Sequence, residues 1–152
     1  MAETEAKTKT SADVLLAVYK NVKMAGESII NVMPKVKDEK LKSDMTVQLS
    51  TFEAFASRAA KLLGKEGAVP EEENWLARMG AKWGAMMNIM MDSTSTHIAE
   101  MMIEGATMGV NDMLEQMRAC KAGNVSDEAM RLVRDVHDYE ERVIKEMKRY
   151  LI

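Results

Sequence analysis

The chain has 152 residues, 47% apolar and 30% charged, with a formal net charge of −3. That length and balance suit one folded unit with a sizeable core and exclude a disordered chain. Lysine and arginine are scattered rather than gathered, which excludes the basic stripe of a nucleic-acid binder, and no run of about 18 apolar residues is present to form a transmembrane helix.

The first ten residues, MAETEAKTKT, are expected to be a disordered N-terminal tail, with residues 11–152 forming a single four-helix-bundle domain. The tail lacks the apolar centre of a secretory leader. Cys120 is the only cysteine, so no disulfide can form within the chain, and a cytoplasmic location is expected.

The first helix is expected over about 11–33, with Thr10 or Ser11 as its N-cap. Its apolar stripe is Leu15, Val18, Val22, Ala25, Ile29 and Val32, spaced by threes and fours. Pro34 ends it, because proline lacks the N–H and restrains the residue before it. The second helix, about 38–64, opens on Asp38 as N-cap and carries Leu41, Met45, Leu49, Phe52, Ala56, Ala59 and Leu63. Gly64 and Gly67 close it. The short link makes these two helices antiparallel neighbours.

Pro70 and the glutamates that follow it open a connecting helix, about 71–91. A break is expected at DSTST, residues 92–96, whose side chains favour caps over helix interiors. Without it, one helix of nearly 50 residues would run about 75 Å. The third main helix follows over about 95–120. Gly123 and Asn124 close it, Ser126 caps the fourth, about 126–151, and Lys145, Lys148 and Arg149 suit the negative end of that helix. The expected fold is therefore all-α: two hairpins joined by a long helical crossover between the second and third main helices.

The chain is methionine-rich, with 16 methionines, nine of them between Met86 and Met117. Met86, Met90, Met101 and Met108 share a narrow sector of a helical wheel. That places them in a plastic core or on an adaptable partner-facing surface, in preference to a Cu(I) site. Trp75, Gly80, Trp83, Gly84 and Met87 in the connecting helix are candidates for a subunit contact, and a homo-oligomer, a dimer first, is expected.

IAEMMIEG opens the third main helix after a tryptophan-rich crossover. With the hairpin–crossover–hairpin order, it resembles a bacterial four-helix-bundle branch of the ferritin-like superfamily over residues 11–151. That resemblance implies a ferritin-like four-helix bundle. Members that bind two irons take one glutamate from each of two helices and a Glu-x-x-His pair from each of the other two. Here Glu53 is followed at three residues by Ala56, and Glu140 by Val143, so neither pair is present.

Glu140 interrupts the apolar stripe of the fourth helix (Met130, Val133, Val136 or His137, Val143 or Ile144, Met147). A buried carboxylate needs a partner, a cation or a proton. His137 lies one turn before it. Counting residues from the intervening turn sets Glu104 level with it, and Glu53 completes a candidate divalent-metal set of Glu53, Glu104, His137 and Glu140 for iron, manganese or zinc. The competing expectation is that these carboxylates flank the core and reach solvent or basic partners. His97 and Glu100 are expected on a solvated face, and Cys120 is expected to be inert unless a redox partner is near. No nucleotide loop, nucleophile elbow or H-E-x-x-H is present, so no catalytic residue is expected. Two functions stay open: association with itself or a partner, without an intact di-iron site, or metal binding or redox work at a reduced carboxylate/histidine site.

Overall fold

The computed structural model describes residues 8–70, 77 and 94–152. Among them are four α-helices and no strand: α1 (Ser11–Val32), α2 (Glu39–Lys65), α3 (Ser95–Ala122) and α4 (Asp127–Met147). Apart from Ala77, the residues expected to form the connecting helix, with Trp75, Gly80, Trp83, Gly84, Met86, Met87 and Met90, lie outside the described part.

Each helix begins where local chemistry supplies a cap. Thr10 and Asp13 form a capping box on α1. The Asp38 carboxylate accepts from the Lys40 and Leu41 amides on α2, and Thr94 and Ser126 accept from His97 and Ala129 on α3 and α4. Each side-chain oxygen satisfies a first-turn N–H that has no intrahelical partner. The end of α2 is a Schellman turn: the Ala68 amide reaches the Leu63 carbonyl and the Gly67 amide that of Gly64. Gly67 takes φ 72°, a left-handed conformation that glycine adopts without cost.

The stripes expected from the sequence are the core. Val14, Leu15, Val18, Val22, Ile29 and Val32 of α1 meet Leu41, Met45, Phe52, Ala59 and Leu63 of α2, with Ile98, Met102 and Met113 of α3 and Leu132, Val133, Val136, Val143 and Met147 of α4. Phe52 and Phe55 pack edge-on against Tyr139 at ring separations of 5.3 and 5.8 Å. The α3 methionines divide: Met102 and Met113 are core, Met101 is half-buried, and Met108 is 64% exposed.

Cross-links at the two ends fix the helix directions. At one end the Ser126 amide donates to Ser11 Oγ, and Lys65 pairs with Glu128 at 3.5 Å. At the other, Thr96 bonds the Tyr150 carbonyl and the Tyr150 hydroxyl bonds Asp44. The helices therefore run up, down, down, up. The end of α2 and the start of α3 lie at opposite ends, and the intervening residues join one end to the other. α1 and α4 each contact all three other helices.

The α3–α4 turn is closed by the N-terminal segment, with Thr10 and Asn124 forming an isolated bridge. A Cβ on Gly123 would stand 2.6 Å from the Lys9 carbonyl oxygen. Backbone on backbone cannot relax by a rotamer change. Gly123→Ala is therefore expected to cost about 1–3 kcal/mol as an overpacking substitution. The check is a lower thermal midpoint together with faster hydrogen exchange at the Ser126 amide.

Candidate functional site

Glu140 lies midway along α4, on the face that otherwise carries Val133, Val136, Val143 and Met147. It is 2% exposed. Its carboxylate fills the space that Gly109 of α3 leaves open: a Cβ on Gly109 would come within 2.0 Å of Glu140 Oε2 and 2.7 Å of its carboxyl carbon. Gly109 lies thirteen residues before the end of α3, and Glu140 thirteen after the start of α4. The two are level across the hairpin.

α1 supplies the third wall. Asn21 Nδ2 donates to the Gly109 carbonyl at 3.2 Å and to Asp112 Oδ2 at 3.3 Å, and its side chain also hydrogen-bonds Glu140. Two buried oxygens remain without a hydrogen-bond partner, Glu140 Oε1 and Asn21 Oδ1. Burial pushes the Glu140 carboxyl up to about 8. The neighbouring charge of Asp112 acts in the same direction, and the bond from Asn21 opposes both. At neutral pH the group is thus mostly protonated.

The candidate set expected from the sequence does not come together here. Glu53 and Glu104 are both exposed. His137 turns away from Glu140, with Nδ1 2.9 Å from Asp138 and Nε2 3.2 Å from Glu141. Those three side chains form a surface group whose ligand atoms lie within 4.8 Å of one another. The level match of Glu104 with Glu140 is displaced because α3 continues to Ala122 and α4 begins only at Asp127. Glu104 lies five residues from the level of Glu140, about 7.5 Å along the axis.

Asn21, Gly109 and Asp112 are the members that sequence reading missed. One signal was available. A glycine inside a helix costs about 1 kcal/mol relative to alanine, which marks Gly105 and Gly109 alike, and only Gly109 has a neighbour in its space. Nothing in the α1 sequence marks Asn21.

Three other expectations have their place. His97 and Glu100 stand 3.9 Å apart on an open face. Cys120 is buried and free, and burial pushes its thiol up, away from the reactive thiolate. On the outer side of the bundle, α1 and α2 enclose a groove of about 330 Å³. Its floor is Val22, Gly26, Phe52 and Ala56, Ile30 stands at its edge, and Lys23, Glu27 and Glu53 carry its charges.

Comparison of the chain with protein-family models, with curated proteins and with solved structures found no match.

Proposed function

We propose that this protein is a helical bundle of ferritin-like layout that acts by associating with a second copy of itself, without an intact di-iron centre. The observation that carries the reading is the α1–α2 groove, which holds both a dent and a knob. Small residues, Gly26 and Ala56, make the dent. Ile30, 46% exposed at its edge, is the knob. A surface bearing both halves of a fit is self-complementary about a twofold axis, the geometry of an isologous dimer.

Charge supports the same occupant. Lys23, Glu27 and Glu53 border the groove, and none of them makes a salt bridge among the described residues. Across a twofold axis the lysine of one copy faces the glutamates of the other, which favours register as well as encounter. The ferritin-like layout is supported by the up-down-down-up order of the helices, which requires a long crossover. The lack of a di-iron centre is supported by Ala56 and Val143, where Glu-x-x-His pairs would carry histidine.

Sedimentation velocity across concentration tests the reading. The wild-type chain is expected to dimerise, and Ile30→Glu to weaken the dimer at least tenfold, about 1.4 kcal/mol. Met108→Glu, on the exposed face of α3, should leave the dimer intact. A wild-type monomer at every concentration would refute self-association. A dimer indifferent to Ile30→Glu would move the contact to another face.

A further inference from the structure

The fold gathers basic side chains that the sequence spreads out. The loop before α2 and the first turn of that helix carry Lys37, Lys40 and Lys42. The end of α4 and the 3-10 turn that follows it, Lys148–Leu151, carry Lys145, Lys148 and Arg149. More than a hundred residues separate the two groups. Tyr150 joins them: its hydroxyl bonds Asp44 of α2, and its carbonyl accepts from Thr96 at the start of α3. Both groups therefore share one end of the bundle. The acidic residues there are Asp38, Glu39, Asp44 and Glu146. Three of them are held by hydrogen bonds: Asp38 by the Lys40 and Leu41 amides, Asp44 by Tyr150 and Glu146 by Gln48. Asp44 and Glu146 are half-buried, whereas Lys37, Lys40, Lys145, Lys148 and Arg149 are exposed. None of the six basic side chains makes a salt bridge among the described residues. Long lysine and arginine stems carry their charge outward past carboxylates held against the bundle. The outer layer of this end is thus cationic, although the chain as a whole carries −3.

We infer that this end of the bundle docks on an anionic lipid surface, with Lys37, Lys40, Lys148 and Arg149 on the headgroups and Leu151 at the apolar boundary. Three features select lipid among anionic occupants. The charge covers the blunt end of a bundle, whereas a nucleic-acid backbone is followed by a stripe or groove. The one aromatic ring at this end among the described residues, Tyr150, is half-buried with its hydroxyl tied to Asp44, so no open ring is offered for base stacking. Exposed apolar side chains, Leu151 and Ile152, stand beside the cations. In a peripheral membrane contact charge draws the protein to the surface and apolar side chains enter the interface. No helix among the described residues is long and apolar enough to cross a membrane, so the contact is docking on the surface.

Co-sedimentation of the full chain with vesicles at low salt tests this surface. Phosphatidylcholine vesicles with one third phosphatidylserine are compared with vesicles of phosphatidylcholine alone. Binding to the anionic vesicles only is expected, and added salt should weaken it, because exposed charges are screened. Lys148→Glu combined with Arg149→Glu should weaken binding at least tenfold. Lys61→Glu combined with Lys121→Glu makes the same change of charge at exposed positions of the opposite end, and should bind as the wild type does. Lys37→Gln combined with Lys40→Gln serves as the second variant should the first pair lose its helical circular dichroism. Sedimentation with neither vesicle, or equally with both, would overturn the assignment. Equal loss in the two charge-reversed pairs would overturn it in favour of an effect of net charge with no preferred face. Tighter binding to a short duplex DNA, run in parallel, than to the anionic vesicles would overturn it in favour of a nucleic-acid surface.

Discussion

Glu140→Gln is expected to abolish most of the pH dependence of stability between about pH 5 and 8. The Glu140 carboxyl has an ordinary value of 4.5 once unfolded and is raised to about 8 in the bundle. Between those values the folded chain holds a proton that the unfolded chain has released. The stabilisation is therefore complete below about pH 4.5 and is lost as pH rises through 8, at about 1.4 kcal/mol per unit. Over the window the loss is roughly 4–5 kcal/mol, a large share of the 5–15 kcal/mol typical of a domain. Glutamine cannot ionise. The variant should match the wild type to within about 1 kcal/mol near pH 4, where the side chain is mostly neutral in the folded and the unfolded wild type alike. It should be several kcal/mol more stable at pH 8.5. Urea denaturation of both chains in chelator, from pH 4 to 9, measures the difference. Parallel curves would mean that Glu140 reaches water or a basic partner in solution.

The second large effect is at Gly109, and its sign depends on Glu140. On an ordinary helix Gly109→Ala would stabilise by about 1 kcal/mol, because glycine loses more backbone entropy on folding. Here the new methyl would stand 2.0 Å from Glu140 Oε2. The carboxylate is buried between α3 and α4 and would have to shift to admit the methyl. Overpacking of this kind costs about 1–3 kcal/mol. In a Glu140→Ala background the space is vacant, and Gly109→Ala should there stabilise by about 1 kcal/mol. The cycle should therefore show a coupling of about 2–4 kcal/mol, at the upper end of what residues in direct contact show. Additive effects would separate the two side chains.

The helix starts were readable from sequence because a cap is local. Asp38 and Ser126 bond amides two or three residues away, so no other part of the molecule has to be known. The apolar stripes were readable for a related reason: the helical period alone sorts Val18, Val22 and Ile29 onto one face. Glu140 was readable as an anomaly, a carboxylate where the period demands an apolar side chain. Its surroundings were not. The expectation that Glu104 stood opposite failed by five residues, because the level of one helix against another depends on where the turn begins. The two-residue extension of α3 to Ala122 enters that count directly. His137 shares a face with Glu140 on a coarse wheel, yet its contacts with Asp138 and Glu141 turn it to the surface.

The sequence by itself determined the all-helical class, the caps, the stripes and the presence of one misplaced charge. Each of these follows from interactions within about one helical turn or from a period along a single helix. The tertiary structure decided what surrounds that charge. It set Gly109 opposite Glu140, brought Asn21 from more than a hundred residues away, and left Glu53 and Glu104 in solvent. Such pairings depend on the rotation and level of whole helices. Both are set by the packing of the core, and no short segment of the chain contains them.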